Sequence, residues 1–414
     1  MHFLYIFLGD YMFDDASGVK KKIISKVEHL NKQKIKVSCI SFSERVHERT
    51  HVGENFIVLP IPKIESRKFL NSLIASQKYY DALQQFLNIN APLYTGFIFR
   101  YPLASKHLLN VVKKYPHKFV FEHNTKEIDE IKNVSGLLRK QLPFSFKPGY
   151  FIYNFETGFL NAAVEKYYGK KIFRQARFGL SVTKEIAEYE QSRCGTYKNY
   201  VVTNGIDVAQ CQLREFRDYD KKTLHLFMLY GSPSTWHGVD KIIEGLKNYY
   251  QSKKSDVVIK VDLIGNASDE MREQIIESGM QNYIQLIPSM QKEELNEKLH
   301  HYHIGIGTMA AYRKGLKEAT PLKLRDYLAR GFPVVVGYTD TDLETHKEFD
   351  SYSLKVETVN SPLDFNAVLQ FANKVYENKN HHNEIRKLAI TYLDSDVKMK
   401  QMADILIDNF NSPS

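Results

Sequence analysis

No apolar run in this chain approaches the roughly 20 residues that a helix needs to cross a bilayer, so membrane-spanning helices drop out of the readings open to it. Cysteine is scarce: Cys39, Cys194 and Cys211 are the only three in 414 residues. They are scattered without metal-ligand spacing, and a reducing cytoplasm is the expected setting. The chain has no G-x4-GK[ST] loop, which argues against a P-loop nucleotidase, and "GIGTM" is a lone GxG without the rest of a dinucleotide fingerprint. The opening "MHFLYIFLGDYMFDD" lacks a basic n-region and a small-residue cleavage site. It reads as a first buried strand rather than a signal peptide. Short tandem repeats and low-complexity tracts are also missing. His300, His301 and His303 cross a helix end into a strand, which scatters their rings, and "DTD" at 340–342 shares its turn-like context with "DYD" and "DSD". No metal is therefore called for.

What is present is a chain long enough for two domains of about 200 residues each, with 43% hydrophobic and 25% charged residues. The net charge of +9 is uneven: residues 1–200 hold 31 Lys and Arg against 18 Asp and Glu. A basic front half and a mildly acidic back half suggest that the front half meets something anionic. Strand-like segments include "HFLYIFLG", "KIKVSCISF", "NFIVLPIP", "TGFIFRYP", "KFVFEHN", "FGLSVT" and "YVVTNG" in the front half. "LHLFMLYG", "DVVIKVDLIG", "NYIQLIPSM", "HIGIGTM" and "FPVVVGY" follow in the back half. Amphipathic helical stretches separate them. Continuous apolar strands alternating with helices imply parallel sheets covered on both faces. The fold class is thus α/β, with two doubly wound Rossmann-like domains expected to face each other across a cleft. Ligands of such sheets bind beyond the carboxyl ends of the strands.

The densest cluster of chemistry-bearing residues follows two back-half strands, in "SPSTWHGVDKIIEGL" and "AAYRKGLKEATPLKLRDYLARGFPVV". Thr320 suits a helix N-cap and Pro321 the first helical position. The backbone N–H groups there, at the positive end of the helix dipole, suit a phosphate or diphosphate. Glu318, on the loop just before, is placed to accept hydrogen bonds from sugar hydroxyls. Asp326, almost two turns in, is placed to accept from a ribose. Arg313 and Lys314 on the preceding loop can supply positive charge.

In this order the residues resemble the retaining glycosyltransferases of GT-B fold, which transfer sugars from nucleotide donors. The family's E-x7-E element and following "G-x-PVV" match Glu318, Asp326 and "YLARGFPVV". Its "NGID" stands here as Asn204, Gly205, Ile206 and Asp207, and "WHGVDKIIEGL" and "SVTKEIAEYEQ" also fit. The forms "YRKGL" and "PLKLRDYLARG" are similar to transferases of bacterial capsule and exopolysaccharide assembly. The resemblance implies that Glu318 contacts donor-sugar hydroxyls and that Asp326 contacts the nucleotide ribose. It implies that the backbone of Thr320, Pro321, Leu322 and Lys323 cradles the diphosphate. Gly18 fits the family's glycine loop near the donor, and His123 the position of a histidine near the reacting sugar. It also implies an acceptor-binding domain at 1–207, a nucleotide-sugar-binding domain at 208–395 and a C-terminal helix, 396–414, crossing back onto the first. Where members often carry an Arg and a Lys for the diphosphate, this chain has Ser232 and His237. Arg313, Lys314 and Lys323 are the candidate substitutes, and His237 can still donate a hydrogen bond. Asp326 is one methylene shorter than the usual Glu.

The stretch "LLRKQLPFSFKPGYFIYNFETGFL" (137–160) interleaves cations with aromatic rings. That mix suits a membrane interface; a structured insertion or a wall of the acceptor cleft is the other reading. The expected function is transfer of a sugar from a nucleotide-diphosphate-sugar donor to a saccharide, lipid-linked acceptor, with retention of configuration, in cell-surface polysaccharide biosynthesis. The expected place is the cytoplasm or the inner face of the cell membrane. No cofactor beyond the donor and no nucleic-acid partner is expected. Two alternatives stay open: a sugar-nucleotide epimerase or hydrolase of the same fold, and a non-catalytic binding protein of that fold.

Overall fold

The structure, a computed structural model, describes residues 1–9, 18–63, 70–132, 148–231, 234–252, 255–356 and 360–412. The chain divides into two compact units, Met1–Val202 with Lys398–Ser414, and Thr203–Val397. The sequence placed this division at 207/208. It falls earlier because the segment after Val202 bonds within the second unit: Asn204 Nδ2 donates to the Thr320 carbonyl at 2.8 Å and Ile206 N to the Leu393 carbonyl at 2.9 Å.

Unit 1 is built on β1 (His2–Ile6), β2 (Lys36–Ser43), β3 (Thr50–His51), β4 (Phe56–Pro60), β5 (Gly96–Arg100), β6 (Phe119–His123), β7 (Phe178–Ser181) and β8 (Asn199–Val201). Their order across the sheet is β3-β4-β2-β1-β5-β6-β7-β8, parallel throughout except for the short edge strand β3. Winding reverses between β1 and β5, which makes the carboxyl ends of those two strands the switch point of the sheet. Helices α1 (Gly18–Asn31), α2 (Leu70–Asn90), α3 (Lys106–Lys114), α4 (residues 127–132), α5 (Pro148–Phe173) and α6 (Lys184–Arg193) connect the strands.

Strand alternation sorts the core onto two faces. Leu4, Ile6, Ile40 and Phe42 pack with Leu83 and Leu87 of α2, Leu108 of α3 and Phe173 of α5. Phe3, Tyr5, Val37 and Cys39 pack with Ile23, Val27 and Leu30 of α1. The same face takes Met399, Met402, Ala403 and Leu406 from the last helix of the chain, Ser395–Asn411. Phe410 from that helix meets Phe3 edge-on at 5.2 Å, and Arg177 Nε donates to the Asn409 carbonyl at 3.0 Å.

Unit 2 carries β9 (Thr223–Leu229), β10 (Val258–Ile264), β11 (Ile284–Ile287), β12 (Ile304–Ile306), β13 (Val334–Val336) and β14 (Ser353–Lys355). Their order is β11-β10-β9-β12-β13-β14, all parallel, with the reversal between β9 and β12. Helices α7 (Val239–Ser252), α8 (Asp269–Glu277), α9 (Lys292–Leu299), α10 (Leu322–Ala329), α11 (Thr341–Thr345), α12 (Phe365–Val375) and α13 (His381–Tyr392) cover it, and the terminal helix is α14.

The sequence reading did not name β3, β14 or α2. The two strands are two and three residues long and only partly buried, too short to show a period. Of the aromatic-basic stretch, residues 137–147 lie outside the described residues, and the remainder enters α5. No helix among the described residues is long and apolar enough to cross a membrane.

Candidate active site

The switch point of the second sheet brings together the two segments that the sequence singled out. After β9 the chain makes a 3-10 turn, Thr235–His237, and leaves it through Gly238 at φ 73°. A Cβ at Gly238 would stand 2.7 Å from the Met309 Cβ, so this close approach requires glycine. Met309 N donates to the His237 carbonyl at 3.0 Å and Ala310 N to the Trp236 carbonyl at 3.1 Å. The loop after β9 is thereby stitched to the loop after β12.

Glu318 lies on the second loop, paired in a parallel bridge with Thr339. Ala319 N donates to the Thr339 carbonyl at 3.1 Å, and Thr339 N to the Lys317 carbonyl at 3.0 Å. The Thr341 hydroxyl approaches Glu318 Oε2 at 3.4 Å, and the Glu318 side chain is half-buried. The helix start sits one residue later than expected: Pro321, extended at φ −67° and ψ 139°, is the N-cap, Leu322 is the first helical residue, and no side chain caps it. Thr320 is buried instead, its hydroxyl accepting from Asn204 Nδ2 at 3.2 Å. The first N–H groups of α10, those of Leu322 and Lys323, have no carbonyl to reach within the helix.

The expected cations differ in how far they are already committed. Arg313 makes a two-pronged pair with Asp240, Nη1–Oδ1 2.8 Å and Nη2–Oδ2 2.6 Å, and also donates to the Thr235 carbonyl at 2.8 Å. Lys314 Nζ stands 3.8 Å from the centre of the Trp236 ring. Lys323 is partly buried, and burial alone pushes its ammonium down to about 8. No ion pair engages it among the described residues. Asp326 is paired with Arg330 at 2.9 Å, one turn on, and accepts from the Cys211 thiol at 3.5 Å. His237 faces the Tyr230 ring at 6.1 Å. Ser232 lies outside the described residues.

A buried ion cluster that the sequence reading missed supports this loop. Arg325, fully buried on α10, pairs with Asp340 at 2.6 Å and Asp342 at 2.6 Å, and its Nε donates to the Asn204 carbonyl at 3.1 Å. Asp340 also caps α11 through the N–H groups of Asp342 and Leu343. Burial pushes the Asp340 carboxyl up and Arg325 pulls it back, leaving it above the usual carboxylate value. Arg325 thus holds the turn that carries Thr341 and the Asn204 that holds Thr320.

In unit 1, Gly18 opens α1. His123 ends β6, but its ring has no exposed surface. Nδ1 lies 3.2 Å from Glu127 Oε1 and Nε2 3.0 Å from the Tyr197 hydroxyl. The resemblance implies a place for this ring near the reacting sugar; here protein groups meet both of its nitrogens. Arg193 binds the surrounding carboxylates, Glu165 at 2.5 Å, Glu190 at 2.9 Å and Glu127 at 3.4 Å. Burial, reinforced by the facing Glu127, holds the Glu190 carboxyl well above its ordinary value. His123, Glu127 and Glu190 bring ligand atoms within 4.8 Å of one another, the one group among the described residues with a spacing that would admit a metal ion. A divalent ion there would compete with Arg193 for the same carboxylates.

No family model matches the chain, and no curated protein matches it in sequence. Solved structures do. Sucrose-phosphate synthase from Thermosynechococcus elongatus aligns at TM-score 0.64 and 13% identity over 100% of both chains. A glycosyltransferase from Rickettsia africae aligns at 0.62 and 13% over 100% of this chain and 99% of its own. The lipopolysaccharide outer core galactosyltransferase WaaB aligns at 0.62 and 13% over 99% of each. Identities this low speak for the fold alone. That fold is α/β with two parallel-sheet Rossmann-like domains, the GT-B architecture of these glycosyltransferases.

Proposed function

We propose that this protein is a glycosyltransferase that moves a sugar from a nucleotide-diphosphate sugar to a saccharide acceptor with retention of configuration. The observation that carries the reading is the arrangement at the switch point of unit 2, where Glu318 precedes the open N-terminus of α10 with Lys323 in its first turn. The N–H groups of Leu322 and Lys323 and the Lys323 ammonium meet the diphosphate, where charge grows as the bond to the sugar breaks. Glu318 accepts from hydroxyls of the donor sugar and fixes the ring for attack. The bond from the anomeric carbon to the phosphate oxygen breaks. A bond to the acceptor oxygen forms on the same face, and the acceptor proton passes to the departing phosphate. Asp326, tied down by Arg330, is left with the lesser task of reaching the ribose. His123 serves from behind, orienting β6 and α6 around Arg193.

The acceptor belongs with unit 1, in keeping with the basic charge of that half of the chain. A lipid-linked saccharide at the inner face of the membrane, in cell-surface polysaccharide assembly, is the acceptor that fits the aromatic-basic stretch at 137–160. The test is consumption of sugar nucleotides by the purified protein, read as nucleotide release and glycosylated product. Glu318→Gln lowers kcat/KM by about 100-fold with an unchanged melting profile. A variant that turns over like the wild type would remove Glu318 from the donor site and the reading with it.

A further inference from the structure

Unit 1 has a switch point of its own, between β1 and β5, and the residues there are charged in a way the donor site does not use. Arg100 ends β5 and lies in register with Glu122 of β6, so both project onto the face covered by α1. The Tyr5 hydroxyl donates to Glu122 Oε2 at 2.8 Å, and Lys26 Nζ of α1 reaches Oε1 at 2.5 Å. Burial works against this carboxylate, yet Lys26 and then Lys22 hold it far below its ordinary range. Glu122 is thus fully engaged. Lys22, one turn earlier on α1, turns instead to Asn124, donating to Oδ1 at 2.7 Å. Arg100 rests 6.0 Å from the centre of the Phe7 ring and has neither hydrogen bond nor ion pair among the described residues. Three cations therefore share one anion in a partly buried corner beyond the strand ends. The crowding shows in Lys22, whose ammonium is pushed down to about 7 by burial and then by Lys26.

Among the described residues, Lys22 and Arg100 have no carboxylate of their own beyond the shared Glu122, and a corner of that kind at the switch point of a parallel sheet suits a phosphoryl dianion. We propose that Lys22, Arg100 and Asn124 form a subsite for a phosphoryl group carried by the acceptor. The guanidinium supplies a two-pronged pair, Lys22 a point charge and the Asn124 amide a further donor. The assignment to the acceptor rests on the glycosyltransferase reading, because the donor diphosphate already has α10 and Lys323 in the other unit. The same phosphoryl chemistry would also suit a nucleotide, and the experiment separates the two sources.

Binding to the full chain is measured by calorimetry with geranyl phosphate, with geraniol as its uncharged counterpart and with UDP. The wild type binds geranyl phosphate at least tenfold more tightly than geraniol. Lys22→Gln and Arg100→Gln each weaken geranyl phosphate at least fivefold and leave UDP unchanged. Arg100→Lys, which keeps the charge and loses the fork, weakens it less and guards against a folding artefact. Near pH 7.5 Lys22 takes up a proton as the phosphate binds, seen as a dependence on buffer ionisation heat, and Lys22→Gln abolishes that uptake. If the variants weaken UDP rather than geranyl phosphate, the subsite serves the donor and its assignment to the acceptor is overturned. If neither ligand responds to them, there is no anion subsite. Because binding needs no turnover, Arg100-dependent geranyl phosphate binding in a protein that transfers no sugar would sink the glycosyltransferase reading and leave the subsite standing.

Discussion

An ammonium that no carboxylate neutralises sits in a folded chain at the expense of its own hydration, and Lys323 is in that position among the described residues. Its depressed value of about 8 means that it loses charge between pH 7 and 9. On the proposed function, affinity for a nucleoside diphosphate should fall over that interval, and Lys323→Gln should flatten the dependence while weakening binding at pH 7 by about tenfold, about 1.4 kcal/mol. Calorimetry across the pH range checks both. Two histidines give a different dependence. His303 is pushed down to about 3 by burial and then Arg217, and His381 to about 4 by burial and then Arg214. Arg214 Nη2 points at His381 Nε2 from 2.5 Å, and His381 Nδ1 donates to the Asn378 carbonyl at 2.8 Å, which fixes the neutral tautomer. Both rings titrate near 6.5 once unfolded. As pH falls below that value, the unfolded chain binds protons that the folded chain refuses. The stability they contribute is complete above about pH 6.5 and declines below it. The melting temperature should drop from pH 7 to pH 5, and His381→Gln should reduce the slope.

At the scale of elements, the loop before α10 is shaped by what lies behind it. Arg325→Met strands Asp340 and Asp342 in the interior and should cost about 3–5 kcal/mol in urea unfolding. Adding Asp340→Asn and Asp342→Asn should restore part of the loss, since the penalty is mainly the unpaired charge. The strands were legible because sheets buried on both faces read as apolar runs, and the loop was legible because Glu318, Thr320 and Pro321 are adjacent in sequence. Pairings between distant residues were not. Arg313 had the right charge in the right loop, but its partner Asp240 is 73 residues away. Glu190 and Arg193 were not singled out, because nothing in "KEIAEYEQSR" marks the face that turns inward against His123. The one local signal for the Arg325 cluster was "DTD" at 340–342, set aside as a turn; two of its acids are the buried partners.

At the scale of the molecule, the chain leaves unit 1 at Val202 and returns to it at Lys398. The returning helix supplies four buried side chains, Met399, Met402, Ala403 and Leu406, to one face of the first sheet. A chain ending at residue 397 should therefore keep a folded unit 2 and lose cooperative unfolding of unit 1, which limited proteolysis and the melting profile would show. Phe410→Ala should weaken the same face without removing it, by about 3–5 kcal/mol if the site cannot collapse. The discontinuity also sets an order of events during synthesis. Roughly 200 residues separate the end of the first sheet from the helix that covers it, about 10–40 s at ordinary elongation rates. Unit 2, continuous in sequence, can be complete while the apolar surface of β1, β2 and β7 still waits on the ribosome. The part of the protein made first is thus completed only after unit 2 has been made.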